Sequence, residues 1–187
     1  MTKKDNKKAK ILMAVFIAVI MIAGTIGYIF TDSGSNQKVP PIETLNGYKF
    51  YETDQGIYVV DYNGQLIPIN YLPSQISDIE IQDIILNSGF VYLLYNPSSD
   101  VSIDWPLQKI ASILTIKGTK VNLACTTEEK CGDVPVITCN DKQSIIEFRP
   151  GNEIKIFSED NCLVLEGSEE DINKLSDKIG LKLLGII

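Results

Sequence analysis

The sequence predicts an α+β protein, in which one N-terminal transmembrane helix precedes a mixed-sheet domain with a β-hairpin start, a β-α-β unit and a C-terminal helix. Three observations lead to this fold class. A long uncharged run follows a lysine-rich start, and short segments rich in β-branched and aromatic residues alternate with turn signals. After residue 90, a strand pattern, an amphipathic helix pattern and a second strand pattern follow one another.

The uncharged run begins at Ile11 and ends at Phe30. As a helix it would be about 30 Å long, which matches the hydrocarbon core of a bilayer. A cleaved signal peptide is the main alternative, although its apolar core is normally shorter and ends in a small-x-small site. A buried core helix is the second alternative for this run. We expect an uncleaved anchor, with the lipid bilayer as a partner of this run.

The basic residues before the run predict the topology. They are Lys3, Lys4, Lys7, Lys8 and Lys10. Lysines beside a span favour the cytoplasmic side. We therefore expect a single-pass plasma-membrane protein with a cytoplasmic stub (1–10), a span (11–30), a polar linker (31–45) and an extracytoplasmic domain (46–187).

The charge balance excludes one class of partner. Of the 17 basic and 24 acidic residues, 12 and 23 respectively lie in residues 31–187. An acidic domain argues against nucleic-acid binding, which requires clustered Lys and Arg. A further partner, if there is one, is expected to be another membrane or cell-surface protein.

The four cysteines are Cys125, Cys131, Cys139 and Cys162. An even number within a translocated segment predicts disulfides, and three pairings are possible. The preferred pairs are Cys125–Cys131, closing a short loop, and Cys139–Cys162, joining two strands. Zinc binding and redox-active thiols are alternatives, but both usually use Cys-x-x-Cys, which is absent here.

The sequence contains no histidine. This excludes a Ser-His-Asp triad, a Cys-His dyad and a His-ligated catalytic zinc. A carboxylate pair, a Ser-Lys dyad or an all-oxygen calcium site remains conceivable, but none has a local signature. We therefore predict no enzyme activity, no catalytic residue, no metal ligand and no cofactor.

The domain begins with a strand pattern. Residues 48–52 and 57–62 read as strands, and Asn63-Gly64 is a strong hairpin signal because both residues tolerate positive φ. Residues 65–70 would form the return strand, which Pro68 restricts to a sheet edge. The tyrosines of this region favour cross-strand packing, with a binding surface as the alternative.

The second half begins with a β-α-β unit. Residues 90–95 read as a strand buried on both faces, Asp104 to Gly118 as a helix, and residues 120–124 as a parallel strand. Residues 144–149 and 153–157 then read as a hairpin across Pro150-Gly151-Asn152, before a strand at 162–166. The last helix begins at Ser168, with Asp171 completing its cap.

From Phe90 onward, the order of strand, helix, strand, proline-led segment, hairpin and terminal helix resembles the thioredoxin-like order. Val134-Pro135-Val136-Ile137 stands where that family has a proline beside its active site. The family's Cys-x-x-Cys would fall between Tyr95 and Leu107, and no cysteine occurs there. The resemblance implies a scaffold used for binding and carries redox activity to no residue.

The whole chain also resembles uncharacterised single-pass archaeal proteins. The features that carry this resemblance are the basic stub, the apolar run, the tyrosine-rich hairpin, the four cysteines and the terminal Leu183-Leu184-Gly185-Ile186. It implies no activity.

Three functions are compatible with the sequence. The first is a membrane-anchored extracytoplasmic binding or structural module. The second is a membrane-tethered thioredoxin-like redox or folding factor. The third is a pilin-like filament subunit processed near Lys8-Ala9, although the acidic residue such subunits carry early in the apolar run is absent.

Overall fold

The computed structural model describes residues 40–81, 89–141 and 144–187. Residues Pro40–Ile187 form one compact unit. The described strands are β1 (Glu43–Leu45), β2 (Tyr48–Glu52), β3 (Tyr58–Tyr62), β4 (Gln65–Ile69), β5 (Phe90–Tyr95), β6 (Lys120–Cys125), β7 (Ser144–Pro150), β8 (Lys155–Glu159) and β9 (Cys162–Gly167). The described α-helices are α1 (Asp104–Ile116) and α2 (Glu169–Leu184), and Pro73–Ile76 forms a short 3-10 helix.

Strands β1 to β4 form an antiparallel sheet in chain order. The predicted hairpin is confirmed, because β3 and β4 pair around Asn63 and Gly64, whose φ angles are 54° and 82°. Strand β4, which contains Pro68, lies at the sheet edge as expected. The residues Phe50, Val60 and Ile67 face one another across three strands and are buried.

The second sheet has the order β6-β5-β7-β9-β8. Its first four strands are parallel, and β8 is antiparallel at the edge. The predicted β-α-β unit is confirmed as β5-α1-β6. Strand β5 lies inside the sheet, which explains its apolar sequence on both faces.

Both α-helices pack on one face of this second sheet, which we call the helix face. Ile110 and Leu114 of α1, and Ile172, Leu175 and Ile179 of α2, form a buried cluster with the sheet. Helix α2 begins as predicted, because the Ser168 side chain accepts a hydrogen bond from the backbone N–H of Asp171 and the two residues form a capping box. Helix α1 begins at the predicted Asp104, and its N-cap Ile103 makes no side-chain capping hydrogen bond.

The predicted fold class is wrong in its first element. Among the described residues, no helix is long and apolar enough to cross a membrane. The structure is instead an α+β arrangement of two helices and two sheets within those residues. The predicted stub and span, 1–30, lie outside the described residues, and so does most of the predicted linker. Strand β1 begins at Glu43, within the linker range.

The prediction of one mixed sheet is also wrong, because the hairpin region forms a sheet of its own. The strand β1 was missed, although Asn46-Gly47 repeats the Asn-Gly turn signal. Asn46 and Gly47 have φ angles of 50° and 86° and join β1 to β2. This turn adds a fourth strand to the three that the sequence predicted for this region.

The predicted hairpin across Pro150-Gly151-Asn152 does not form. Strand β7 pairs in parallel with β9, and β8 pairs with β9 around Asp160-Asn161. The physical reason is burial, since β9 is apolar on both faces whereas β8 is half exposed. An apolar strand takes the interior position and a polar one the edge. The thioredoxin-like order, which required this hairpin, is therefore not observed.

Candidate functional site

Strand β7 carries apolar and charged side chains on opposite faces of the parallel sheet. Ile146 and Phe148 belong to the cluster under the helices, whereas Ile145 belongs to a separate cluster. Because side chains alternate along a strand, Glu147 and Arg149 share the face of Ile145. We call this face the loop face, because Ile137 from the connection between β6 and β7 packs on it.

Two disulfides attach that connection to the sheet. Cys125, the last residue of β6, is bonded to Cys131, and Cys139 is bonded to Cys162, the first residue of β9. The prediction of disulfide bonds is confirmed, and the pairs are the two preferred from the sequence. Sequence separations of 6 and 23 mean that the second bond closes the longer loop.

Backbone hydrogen bonds hold the same connection at both ends. The N–H of Cys125 donates to the carbonyl of Pro135 at 3.0 Å, and the N–H of Ile137 donates to the carbonyl of Cys125 at 3.0 Å. Further along, the N–H of Asn161 donates to the carbonyl of Cys139 at 3.0 Å. The proline-led segment thus makes one isolated β-bridge, between Val136 and Cys125.

Glu147, Arg149 and Glu159 form a charged cluster on the loop face. The Arg149 guanidinium donates to both oxygens of Glu147, from Nε at 2.9 Å and from Nη2 at 2.8 Å. Its Nη1 donates to Glu159 at 2.7 Å, and the guanidinium lies 5.7 Å from the Phe157 ring centre. The hydrogen bonds from Arg149 to Glu147, the largest influence, raise the pKa of the guanidinium.

Burial distinguishes the members of this cluster. Glu147 is 6% exposed, whereas the side chains of Arg149 and Glu159 are 31% and 45% exposed. A largely buried carboxylate is costly unless it is hydrogen-bonded and paired, and the bidentate contact with Arg149 supplies both conditions. Glu159 and part of the Arg149 guanidinium group are therefore exposed to solvent, whereas the carboxylate of Glu147 is buried and held in place.

A pocket of 240 Å³ opens beside this cluster. Its lining residues are Leu94, Thr126, Ile137, Thr138, Cys139, Asn140, Glu147, Arg149, Glu159 and Asp160. Leu94 lies near the carboxyl end of β5, and Thr126 directly follows β6. The chain passes from β6 on one side of β5 to β7 on the other, and such reversals place ligands at the carboxyl ends of parallel strands.

The pocket lining favours positively charged or hydroxyl-rich groups. The carboxylates of Glu147, Glu159 and Asp160 outnumber the one guanidinium, that of Arg149. The Thr138 hydroxyl and backbone N–H both contact Asp141 Oδ2, at 3.2 and 2.8 Å, which fixes that wall.

A larger groove of 670 Å³ lies between Gln75–Glu80, β8 and α2. Its two lysines pair with exposed carboxylates next to the groove, since Lys155 contacts Glu153 and Lys174 contacts Glu170. Exposed ion pairs contribute little to stability and do not fix the positions of these two lysines. We therefore place the candidate site at the smaller pocket, whose central carboxylate is buried.

A second buried charge cluster joins the helices to the antiparallel sheet. Lys109 of α1 and Asp177 of α2 form an ion pair, with side chains 2% and 0% exposed. Burial lowers the pKa of the Lys109 amine and raises the pKa of the Asp177 carboxyl, while each partner's charge acts in the opposite direction. The buried hydroxyl of Ser176, next to Asp177, donates to the Ile172 carbonyl at 2.7 Å.

The sequence identified some of these residues and missed others. The cysteines were predicted, and two of them, Cys139 and Cys162, lie beside Glu147, with Cys139 lining the pocket. Glu147, Arg149 and Glu159 were missed. The available signal was the pattern Ile-Ile-Glu-Phe-Arg, because charges on one face of an otherwise apolar strand require a partner.

Two tyrosines of the antiparallel sheet take part in cross-strand packing, which was the favoured of the two interpretations. The rings of Tyr48 and Tyr62 stack with centres 5.9 Å apart, and both half-buried residues pack against the core of the antiparallel sheet. These two side chains therefore serve as cross-strand contacts.

Comparisons with known proteins give no further constraint. No protein-family model matches the chain, and no similar curated protein or solved structure is found.

Proposed function

We propose that the protein is an extracytoplasmic binding module, with its ligand site at the pocket lined by Glu147, Arg149, Glu159 and Asp160. The observation that carries the proposal is the position of Glu147, a carboxylate only 6% exposed on a central strand of a parallel sheet. Packing alone would favour an apolar residue there, because a buried ion pair rarely adds stability.

The ligand chemistry follows from the charges at the pocket mouth. Glu159 and Asp160 are exposed carboxylates of the pocket lining, and Arg149 is already bonded to two carboxylates. A ligand carrying a primary ammonium, such as a lysine side chain on another cell-surface protein, would pair with the open carboxylates. A volume of 240 Å³ accommodates one side chain of that kind rather than a whole domain.

The extracytoplasmic location is supported by the two disulfides. All four cysteines are paired, and such bonds persist in oxidising compartments. The predicted lipid partner, the plasma-membrane location and the absence of enzyme activity stay predictions.

Calorimetric titration of the full-length oxidised protein tests the proposal. The probes are a lysine-rich peptide and a glutamate-rich peptide of equal length. We expect the lysine-rich peptide to bind and the glutamate-rich peptide to show no heat. The double variant Glu159→Gln/Asp160→Asn should weaken binding by up to about thirtyfold, since each of the two exposed ion pairs contributes at most about 1 kcal/mol.

The matched control is Glu52→Gln/Asp54→Asn, which likewise removes two exposed carboxylates, both outside the pocket. Equal weakening in the two double variants would show that only overall charge matters. Failure of the lysine-rich peptide to bind would refute the proposed ligand class.

The two alternative functions remain distinguishable by experiment. The redox factor requires a readily reduced disulfide, which thiol trapping under mild reductant measures. The pilin-like subunit requires processing near Lys8-Ala9, outside the described residues, which mass spectrometry of the mature N-terminus measures.

A further inference from the structure

We propose that reduction of the Cys139–Cys162 disulfide converts the wall of the pocket into a site for a thiophilic divalent cation such as Zn²⁺. The ligands would be Sγ of Cys139, Sγ of Cys162 and a carboxylate oxygen of Glu147. These three donor atoms lie within 4.8 Å of one another. That spacing is compatible with bonds of about 2.3 Å from sulfur and about 2.0–2.2 Å from oxygen to one ion.

The positions of the three donors do not depend on the sulfur–sulfur bond alone. Cys162 is the first residue of β9 and pairs with Ile145 of β7, two residues before Glu147. The Cys139 carbonyl accepts hydrogen bonds from the backbone N–H of Asn161 at 3.0 Å and from its Nδ2 at 3.3 Å. Backbone contacts therefore keep both cysteines beside Glu147 after the disulfide opens.

Glu147 is oriented to act as the third ligand. Its Oε2 lies 3.2 Å from Sγ of Cys139. A carboxylate has about four acceptor positions, and the two hydrogen bonds from Arg149 leave others free. Arg149 would then orient the ligating carboxylate from behind, as hydrogen-bonding partners of metal ligands commonly do.

The redox step balances with a thiol or phosphine reductant. Reduction of the disulfide takes two electrons and two protons and yields two thiols, while the reductant is oxidised by two electrons. Binding of the cation releases the two thiol protons, because thiolates are the ligands. The cation keeps its oxidation state, and water completes a four-coordinate site.

The other disulfide provides an internal comparison. The sulfur of Cys131 lies 3.3 Å from the backbone carbonyl oxygen of Val134. The sulfur of Cys125 lies 3.9 Å from the backbone carbonyl oxygen of Cys131. In the described part of the chain, the one group of three such donors contains Cys139, Cys162 and Glu147. Reduction of Cys125–Cys131 should therefore leave two thiols without a third acidic ligand.

The test uses the full-length chain, reduced anaerobically with a phosphine and titrated with Co²⁺ as a spectroscopic substitute for Zn²⁺. The double variant Cys125→Ser/Cys131→Ser retains the proposed ligands and should show a sulfur-to-cobalt charge-transfer band. The matched variant Cys139→Ser/Cys162→Ser retains the other two cysteines and should show none. Adding Glu147→Gln to the first variant should weaken binding at least about tenfold.

The proposal fails if the reduced Cys125→Ser/Cys131→Ser protein shows no band, or if both double variants show the same band. If a variant does not fold, alkylation of the reduced unmodified chain gives the answer. Because Cys125, Cys131 and Cys162 are buried, the alkylation rates are compared with and without Zn²⁺. Peptide mass spectrometry should show that Zn²⁺ slows the alkylation of Cys139 and Cys162 but not that of Cys125 and Cys131. Protection of none, or of all four equally, overturns the proposal.

The proposed cation site forms part of the wall of the proposed ligand pocket. A role for the cation in regulating ligand binding at that pocket therefore rests on the proposed function. The two failures remain distinguishable. Peptide binding is measured on the oxidised protein without metal, whereas cation binding is measured on the reduced protein without peptide.

Discussion

Lys109 and Asp177 form an ion pair that is buried between the two α-helices. The second oxygen of Asp177 accepts the backbone N–H groups of Asn70 and Tyr71, at 2.8 and 2.9 Å. The Asn70 side-chain oxygen in turn accepts from Lys109 at 3.2 Å and from the Trp105 indole at 2.7 Å. One carboxylate therefore connects both helices to the chain directly after β4, where the antiparallel sheet ends.

Replacing Asp177 by Asn should lower the free energy of unfolding by about 3–5 kcal/mol. The amide oxygen can still accept the two backbone N–H groups, but the amide NH₂ faces the Lys109 ammonium and leaves that charge uncompensated. Urea denaturation at neutral pH measures the change.

The double variant Lys109→Met/Asp177→Asn should recover much of this loss, because no buried charge remains. Asp54→Asn in an exposed turn is the control and should change stability by less than about 0.5 kcal/mol. Additive losses in the double variant would show that the two side chains do not act as a pair.

The two disulfides should differ in their contribution to stability. In the chain-entropy model, Cys139→Ser/Cys162→Ser should cost about 3.5 kcal/mol and Cys125→Ser/Cys131→Ser about 2.4 kcal/mol, because the first pair closes the longer loop. Thermal unfolding of the two double variants in parallel measures the order. A larger loss from the shorter loop would contradict this reasoning.

The turn between β3 and β4 should require glycine at position 64. Gly64 has a φ of 82°, so Gly64→Ala should cost about 1–2 kcal/mol through backbone strain alone, since no other atom lies within 4 Å of the place that an alanine methyl would take. Gly89→Ala is the matched control, because Gly89 has equal space and no positive φ. Equal effects in denaturant titrations of the two variants would refute the turn assignment.

The contribution of the Ser168 cap of α2 to the free energy of unfolding should be measurable with a single substitution. The Ser168 hydroxyl accepts the Asp171 N–H at 3.3 Å, so Ser168→Ala should cost about 1 kcal/mol. Ser158→Ala, on the exposed edge strand β8, should cost less. Comparable losses for the two serines would show that the cap contributes nothing specific.

Local signals in the sequence predicted local structure well. Asn63-Gly64 fixed a hairpin because few residues tolerate positive φ, and Ser168 with Asp171 began a helix because their side chains satisfy its first N–H groups. The β5-α1-β6 unit followed from hydrophobic periodicity.

Pairings between distant strands were not predictable in the same way. The sequence predicted that residues 144–149 and 153–157 pair as a hairpin, because a Pro-Gly-Asn turn lies between them. The strand next to β7 was instead decided by tertiary burial, which favoured the apolar β9 over the half-exposed β8. The candidate site depends on this pairing, because it brings Glu159 and Cys162 to the side of Glu147 and Arg149.

The central claim, that the pocket beside Glu147 and Arg149 binds a cationic group, is tested most directly by amide chemical-shift mapping of the oxidised full-length protein with a lysine-rich peptide. We predict saturable shifts at Thr126, Thr138 and Asn140, and saturation of these shifts only at higher peptide concentration in the Glu159→Gln/Asp160→Asn variant. Shifts confined to the antiparallel sheet, or saturation at the pocket at an unchanged peptide concentration in that variant, would contradict the claim.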